Sequence, residues 1–284
     1  MRSKSKNATC HTCVDACASE ALLTTESGSL HLHASACNQC GACVVACPVK
    51  AIEGNLPIRK TEEQTLFEDN KALLTVKELL LYHQRAYRHV VIESEVSQWY
   101  TVIKQANEML TRLAQPLLTF LFDPDVITEQ ISKSRRAFLR VDLLNKSKTS
   151  SDVKIENQLL PQAFADYQFF TVKLDKESCS LCSACLRLCP TFAIKYEQQQ
   201  FVIDNGRCVG CKSCEDGCPE QSLKVQESIQ SKTISRTPFV FNICSECKQH
   251  YLALSNNHAL CTPCKVRKLL NLGTSGMLNH HMNI

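Results

Sequence analysis

The chain has 284 residues, of which 44% are hydrophobic, 6% aromatic and 19 are cysteine. Its formal charge is +4, but no Lys/Arg block with interleaved aromatics accompanies it, so nucleic acid is not expected as a partner. No stretch of 18 apolar residues occurs, which argues against a transmembrane helix, and a chain of this length should form roughly two or three compact units. Residues Met1–Asn7 are polar and charged with no apolar segment behind them. A secretory leader is therefore not expected, and cysteines at two-residue spacings without one point to metal binding in the cytoplasm rather than to a disulfide scaffold.

In chain order, Cys10, Cys13 and Cys17 come first, followed by Cys37, Cys40, Cys43 and Cys47 with Pro48 behind them. Residues 56–175 contain neither cysteine nor glycine, a sharp change that marks a separate module. There Leu73, Val76, Leu80, His83, Tyr87 and Val90 recur at spacings of three and four, which predicts an amphipathic helix. Ser94 suits the N-cap of a second helix carrying Val96, Tyr100, Ile103, Leu110, Leu113 and Leu117, with Pro116 near its end and Leu117–Phe122 as its buried end. Asp123-Pro124-Asp125 suits the start of a third, marked by Ile127, Ile131, Phe138 and Val141. The module thus reads as a helical insertion over 60–150, with Ser147–Asp152 as a polar linker. Ser134–Arg140 matches a twin-arginine export motif in letters only. It is internal and lacks an apolar segment, so it reads as a charged helix face.

Two further runs follow: Cys179, Cys182, Cys185, Cys189 with Pro190, and Cys208, Cys211, Cys214, Cys218 with Pro219. The same spacing, C-x2-C-x2-C-x3-C-P, thus occurs three times, which excludes chance. Two-residue gaps wrap three sulfurs of one tight loop around one face of a cluster, and the proline after the fourth ends the loop by fixing φ and withholding an N–H. Cys10, Cys13 and Cys17 align with Cys182, Cys185 and Cys189, which leaves Asn7 where Cys179 stands and Ala18 where Pro190 stands. The interval from Cys17 to Cys37 is 20 positions and that from Cys189 to Cys208 is 19, so one unit occurs twice.

Residues 7–57 and 170–227 each resemble a bacterial dicluster [4Fe-4S] ferredoxin domain. The resemblance implies an α+β fold of two pseudo-symmetric halves, each a short strand pair and a helix. It also implies that three ligands of one run join the last ligand of the other. Cys179, Cys182, Cys185 and Cys218 would then hold one cluster. Cys208, Cys211, Cys214 and Cys189 would hold the second, and Cys37, Cys40, Cys43 and Cys17 the third. The fourth site keeps only Cys10, Cys13 and Cys47, which suits a [3Fe-4S] cluster, a [4Fe-4S] cluster completed by Asn7 or His11, or no cluster. The Arg135-Arg136 segment is also similar to one found ahead of the clusters in ferredoxin-type accessory proteins of periplasmic nitrate reductase systems.

Cys244-x2-Cys247 and Cys261-x2-Cys264 resemble a zinc ribbon, expected over 238–272. Such paired knuckles close a tetrahedral four-sulfur site that suits zinc, with iron as the alternative. His250 and His258 fall inside its loop, but four cysteines already complete the site. His31 and His33 are expected to be exposed, and His280 and His281 lie in a polar tail. Lys265, Arg267 and Lys268 read as a solvated helix face. Three clusters and one zinc, each with four thiolates, would bring the formal charge to about −4.

The sequence contains no G-x-G-x-x-G, P-loop, nucleophile motif or radical-SAM spacing, so no enzyme activity is expected. The leading expectation is an electron-transfer protein linking a redox donor protein to a larger oxidoreductase. The alternatives are an accessory or maturation protein for an iron-sulfur or molybdenum oxidoreductase, and an iron-sulfur redox sensor.

Overall fold

The computed structural model describes residues 8–127, 151–257 and 259–270. The first unit is small. Helix α1 (Thr12–Asp15) leads to a hairpin of β1 (Leu22–Thr24) and β2 (Leu30–Leu32), and α2 (Ala42–Ala46) follows. Its buried residues are mostly small, Ala16, Ala42 and Ala46 among them, so it has little apolar core.

The Cys-free module is not a helical bundle. It is a five-stranded mixed sheet in the order β6-β5-β4-β3-β7, flanked by helices. Strands β3 (Ile58–Glu62) and β4 (Thr65–Phe67) form a hairpin. Helix α3 (Val76–Gln84) then crosses to β5 (His89–Ile92), and α4 (Gln98–Arg112) crosses to β6 (Thr119–Phe122). Strands β4, β5 and β6 are parallel, as βαβ connections require. Strand β7 (Ser151–Lys154) closes the other edge antiparallel to β3.

The helices are therefore shorter than the periodic positions predict. Tyr87 and Val90 lie beyond α3, Val90 within β5. The N-cap of α4 is Ser97, whose hydroxyl accepts from the Trp99 N–H, and not Ser94; Val96 is exposed. Leu117–Phe122 leads into an edge strand in which Leu121 and Phe122 are exposed, not the buried end of a helix. Residues 151–154 are a strand rather than linker. At the expected start of the third helix, the Asp125 N–H donates to Asp123 Oδ1 at 3.0 Å. Ile131, Phe138, Val141 and the Arg135-Arg136 segment lie outside the described residues.

Both long helices end in the same way. Ala86 and Ala114 sit in the left-handed region at φ 67° and 50°. The following N–H of Tyr87 reaches back to Tyr82 O at 3.2 Å, and that of Gln115 to Leu110 O at 2.9 Å. This is the Schellman closure, with alanine where glycine is usual.

The core under the sheet gathers Leu66, Leu79, Leu80, Val90, Ile92, Trp99, Ile103 and Leu110, all at most 2% exposed. Within it Arg59 is wholly buried. Its guanidinium forks onto Glu78 (Nε–Oε1 2.8 Å, Nη2–Oε2 3.0 Å), reaches Asp69 at 3.1 Å and the carbonyl of Ala72 at 2.9 Å, and lies 5.2 Å from the Trp99 ring. Two buried carboxylates thus depend on one cation.

The second unit begins with β8 (Tyr167–Leu174). Next come β9 (Ile194–Glu197), β10 (Gln200–Asp204) and β11 (Leu223–Ser231), which pairs back on β8 with Val225 opposite Val172. Helices Ala184–Leu188 and Ser213–Asp216 occupy equivalent places in its two halves. Strand β12 (Ile234–Pro238) widens the β9–β10 hairpin. Strand β8 joins the modules, since Phe169 enters the central core while Val172 enters that of the second unit. The chain ends in a hairpin of β13 (Val240–Ile243) and β14 (His250–Ala253) and the helix Thr262–Leu269.

Two outcomes test this fold. Arg59→Met, which strands Glu78 and Asp69 without their cation, should destabilise the central module by ~3–5 kcal/mol in urea denaturation. Ala114→Gly, which relieves the left-handed backbone at the end of α4, should leave the fold unchanged and raise stability by ~0.5–1 kcal/mol.

Candidate metal centres

The second unit builds two cavities from its two cysteine runs. One is lined by Cys179, Cys182 and Cys185 together with Cys218. The other is lined by Cys208, Cys211 and Cys214 together with Cys189. Each therefore takes three sulfurs from one loop and one from the other. The walls of the first include Leu174, Leu181, Phe201 and Leu223 beside Tyr196 and Glu220, and those of the second Val172, Ile194, Val209 and Val225 beside Thr191 and Lys212. A set of four thiols in an apolar recess fits an iron-sulfur cluster.

The loops wrap because of a repeated backbone pattern. In each complete run, the residues two and four places after the first cysteine have positive φ. They are Gln39 (57°) and Gly41 (80°), Leu181 (53°) and Ser183 (64°), and Gly210 (69°) and Lys212 (56°). After the fourth cysteine comes a tight turn. The N–H groups of Lys50, Phe192 and Gln221 donate to the carbonyls of Cys47, Cys189 and Cys218 at 3.4, 3.4 and 3.1 Å, and all three residues again have positive φ. That turn aims the next N–H at sulfur, with Ala51 to Cys47 at 3.2 Å, Ala193 to Cys189 at 3.2 Å and Ser222 to Cys218 at 3.3 Å.

The first run keeps only half of this pattern. Glu20 donates to Cys17 O at 3.0 Å with φ 51°, so the turn after the last cysteine is intact. Thr9 and His11 occupy the two wrapping positions, but His11 has φ −115° and Thr9 is not left-handed either. Cys17, expected to serve the complete site of Cys37, Cys40 and Cys43, thus retains its local geometry. The loop of Cys10 and Cys13 does not. Cys13, Cys17 and Cys40 all lie within electrostatic reach of Cys43. Asn7 lies outside the described residues, His11 is exposed, and so are His31 and His33.

In the C-terminal segment the ligand atoms of Cys244, Cys247, Cys261 and Cys264 lie within 4.8 Å of one another. The first pair sits on the turn of the β13–β14 hairpin, where Lys248 at φ 59° donates to Cys244 O at 3.0 Å. The second pair opens the last helix, with Pro263 in its first turn. Cys244, Cys261 and Cys264 are buried and Cys247 is exposed. His250 is exposed, and His258 lies outside the described residues.

Burial makes these thiols poor acids. It pushes Cys185 up to about 12 and Cys208 to about 11, helped by neighbouring sulfurs. Cys17 behaves oppositely. Burial would raise it, but the Ser19 hydroxyl 3.6 Å away and the amides of Leu22, Ala21 and Ser19 bring it below the usual thiol range. At Cys244 burial is likewise outweighed, here by the amides of Cys261, Cys247 and Glu246, and the thiol falls to about 6. Buried thiols ionise at neutral pH when a metal compensates them, so loading these sites releases protons.

Several contacts around the sites had no signal in the sequence, because their partners are far apart along the chain. Lys77 on α3 donates to Cys47 O at 3.0 Å. Lys265 is not simply solvated but pairs with Glu220, on the wall of the first cavity, at 2.9 Å.

Two segments match known domain families. Residues 31–53 match a 4Fe-4S binding domain, and residues 171–219 match a 4Fe-4S dicluster domain. The first match begins after Cys10, Cys13 and Cys17, and neither reaches the C-terminal cysteines. Among curated relatives, the chain is 32% identical over 81 residues to polyferredoxin protein MvhB of Methanothermus fervidus, covering 27% of this chain and 19% of that one. It is 34% identical over 61 residues to the archaeal-type glutamate synthase [NADPH] of Thermotoga maritima, covering 21% of this chain and 12% of the other. It is 33% identical over 60 residues to pyruvate synthase subunit PorD of Methanothermobacter marburgensis, covering 21% of this chain and 70% of the subunit. The chain thus spans about a fifth or less of the first two. The matched domains and their cysteine cavities define an iron-sulfur protein of the ferredoxin class. More particularly, the chain belongs to the [4Fe-4S] dicluster ferredoxin family, with two copies of the family's domain.

Glycine at two wrapping positions is required twice over. A Cβ at Gly210 would stand 2.3 Å from the Phe170 ring, and one at Gly41 2.2 Å from Asn55 O, both at positive φ. Gly210→Ala and Gly41→Ala should each lower bound iron by one cluster, about four atoms per chain, on anaerobic iron analysis.

Proposed function

We propose that the chain is an electron-transfer protein that links a redox donor to a larger oxidoreductase through [4Fe-4S] clusters. The observation that carries this reading is the crossed lining of the two cavities of the second unit, three cysteines from one run and the fourth from the other. On this reading Cys179, Cys182, Cys185 and Cys218 hold one cluster, and Cys208, Cys211, Cys214 and Cys189 a second. Cys37, Cys40, Cys43 and Cys17 hold a third. Cys10, Cys13 and Cys47 form a three-thiolate site suited to a [3Fe-4S] cluster, or to a [4Fe-4S] cluster with a non-cysteine ligand. Cys244, Cys247, Cys261 and Cys264 hold zinc in a structural role.

Each cluster, when bound, accepts and returns one electron. The chain sets how readily. The apolar part of the walls limits contact with water, and the N–H groups of Ala51, Ala193 and Ser222 stabilise negative charge on the sulfurs of Cys47, Cys189 and Cys218, which favours the reduced state. A larger oxidoreductase as partner accords with the relatives, two of which are named as a polyferredoxin and a pyruvate synthase subunit. No helix among the described residues is long and apolar enough to cross a membrane. The accessory or maturation reading draws on one observation, the relaxed loop around Cys10, which suits a labile cluster.

Anaerobic metal analysis should give about twelve iron atoms for three full cubanes, more if the three-thiolate site is loaded, and one zinc. Cys247→Ser should remove the zinc and leave the iron. An EPR-monitored redox titration should show at least two clusters reduced and reoxidised reversibly. Fewer than about eight iron atoms, or reduction that destroys the clusters, would sink the proposal, since two intact cubanes are the minimum it requires.

A further inference from the structure

Thr9, the residue before Cys10, is held by the second ferredoxin unit. Its N–H donates to Asp216 Oδ2 at 2.8 Å and its hydroxyl to Asp216 Oδ1 at 2.9 Å. Asp216 ends the helix that carries Cys214, two positions before Cys218. One carboxylate thus takes both donors of a residue 207 positions away, in two charge-assisted bonds. Cys10 is thereby brought within electrostatic reach of Cys211. On its other side the same three-cysteine site is tied to the central module. Lys77 bridges Cys47 O and Asn157 Oδ1, both at 3.0 Å, and the Asn157 amide donates to Val44 O at 3.0 Å. Within each unit the two sites are neighbours, since Cys43 is influenced by Cys13, and Cys214 by Cys185. Beyond the second unit, Thr262, next to Cys261, donates to Ser180 O at 3.1 Å in the loop between Cys179 and Cys182.

We infer that the Thr9–Asp216 clamp joins the two ferredoxin units into one row of sites, with the three-cysteine site at the junction. The row runs from Cys17, Cys37, Cys40 and Cys43, through Cys10, Cys13 and Cys47, to Cys189, Cys208, Cys211 and Cys214, and ends at Cys179, Cys182, Cys185 and Cys218. This rests on the electron-transfer reading above. Thr9 and Asp216 are positioning residues. They bear no thiol, and they fix the loop of Cys10 against the second unit. A cluster held by Cys10, Cys13 and Cys47 would then lie between the two units.

Pulsed dipolar EPR of the dithionite-reduced intact chain tests this. It should show short distances within units and longer ones between them. Thr9→Pro removes both donors, and Asp216→Ala removes the acceptor. Each should widen the distribution of the between-unit distances several-fold, leave the distances within the second unit sharp and leave the iron of the four-cysteine sites unchanged. Asp216→Asn, which keeps an oxygen acceptor, should restore the width. An unchanged width in Thr9→Pro would mean that the central module alone holds the units, and would overturn the clamp. If Asp216→Ala loses iron, Thr9→Pro decides. If no cluster is reducible, the electron-transfer reading fails by itself. The clamp is then judged by amide exchange at Thr9, where protection lost in Asp216→Ala supports it and equal exchange overturns it.

Discussion

A thiol buried among apolar side chains resists ionisation, and a metal reverses that preference. The rest of this structure depends on that opposition. The ferredoxin units are too short to assemble much apolar core, and the first buries chiefly alanines beside its sulfurs. Their cysteines sit where side chains of a larger protein would pack. Cys185, Cys208 and Cys214 belong to the same buried cluster as Phe201, Ile203 and Leu223. A metal bound there would be the centre of the core as well as the functional group, and its loading would be coupled to folding. The backbone is shaped to the same end. Left-handed residues between the cysteines turn successive sulfurs to one side, and the amide that points at the fourth sulfur supplies the positive pole a thiolate needs.

The first run departs from the other three in one half only, and the reason is physical. A dicluster unit is crossed, so each run serves two sites. The last cysteine of a run belongs to the neighbour's site, and the first three belong to its own. In the first run the turn after Cys17 is intact, with Glu20 left-handed and the Cys17 sulfur surrounded by amides. The wrapping positions at Thr9 and His11 have relaxed. With Asn at position 7, the proposed ligand sets leave the loop of Cys10 and Cys13 one cysteine short but leave Cys17 unaffected, because Cys17 would serve the site of the other run.

What is legible in the sequence follows from this. Cysteine spacing is local, short and chemically demanding, so the order of residues shows the three runs and the paired knuckles near the C-terminus, while the crossed lining of the second unit's cavities follows from the resemblance those runs carry. The sheet of the central module cannot. Its strands are three to five residues long, β4 being only Thr65–Phe67, too short for a period of two to stand out against helical spacing. Its turns also lack the usual punctuation. Glu63, Ala86 and Ala114 take the left-handed places where glycine would have announced a break. A glycine-free stretch therefore reads as successive helices, although strands intervene after each of these residues. The contacts that join modules, such as Lys77 to Cys47 and Thr9 to Asp216, leave no periodic trace at all.

The central module has what its neighbours lack, a core of fully buried leucines and isoleucines around the Arg59 network. Strand β8 ties that core to the second unit, because its alternation sends Phe169 to one side and Val172 to the other. On the first unit the tie is polar, with Lys77 and Asn157 holding the carbonyls of Cys47 and Val44. Burial lowers Lys77 to about 8, and its charge sits beside the last cysteine of the three-thiol site. A site short of one ligand has less metal to hold its loops together. Here the loops are held from outside instead, by the central module at Cys47 and by the second unit at Thr9.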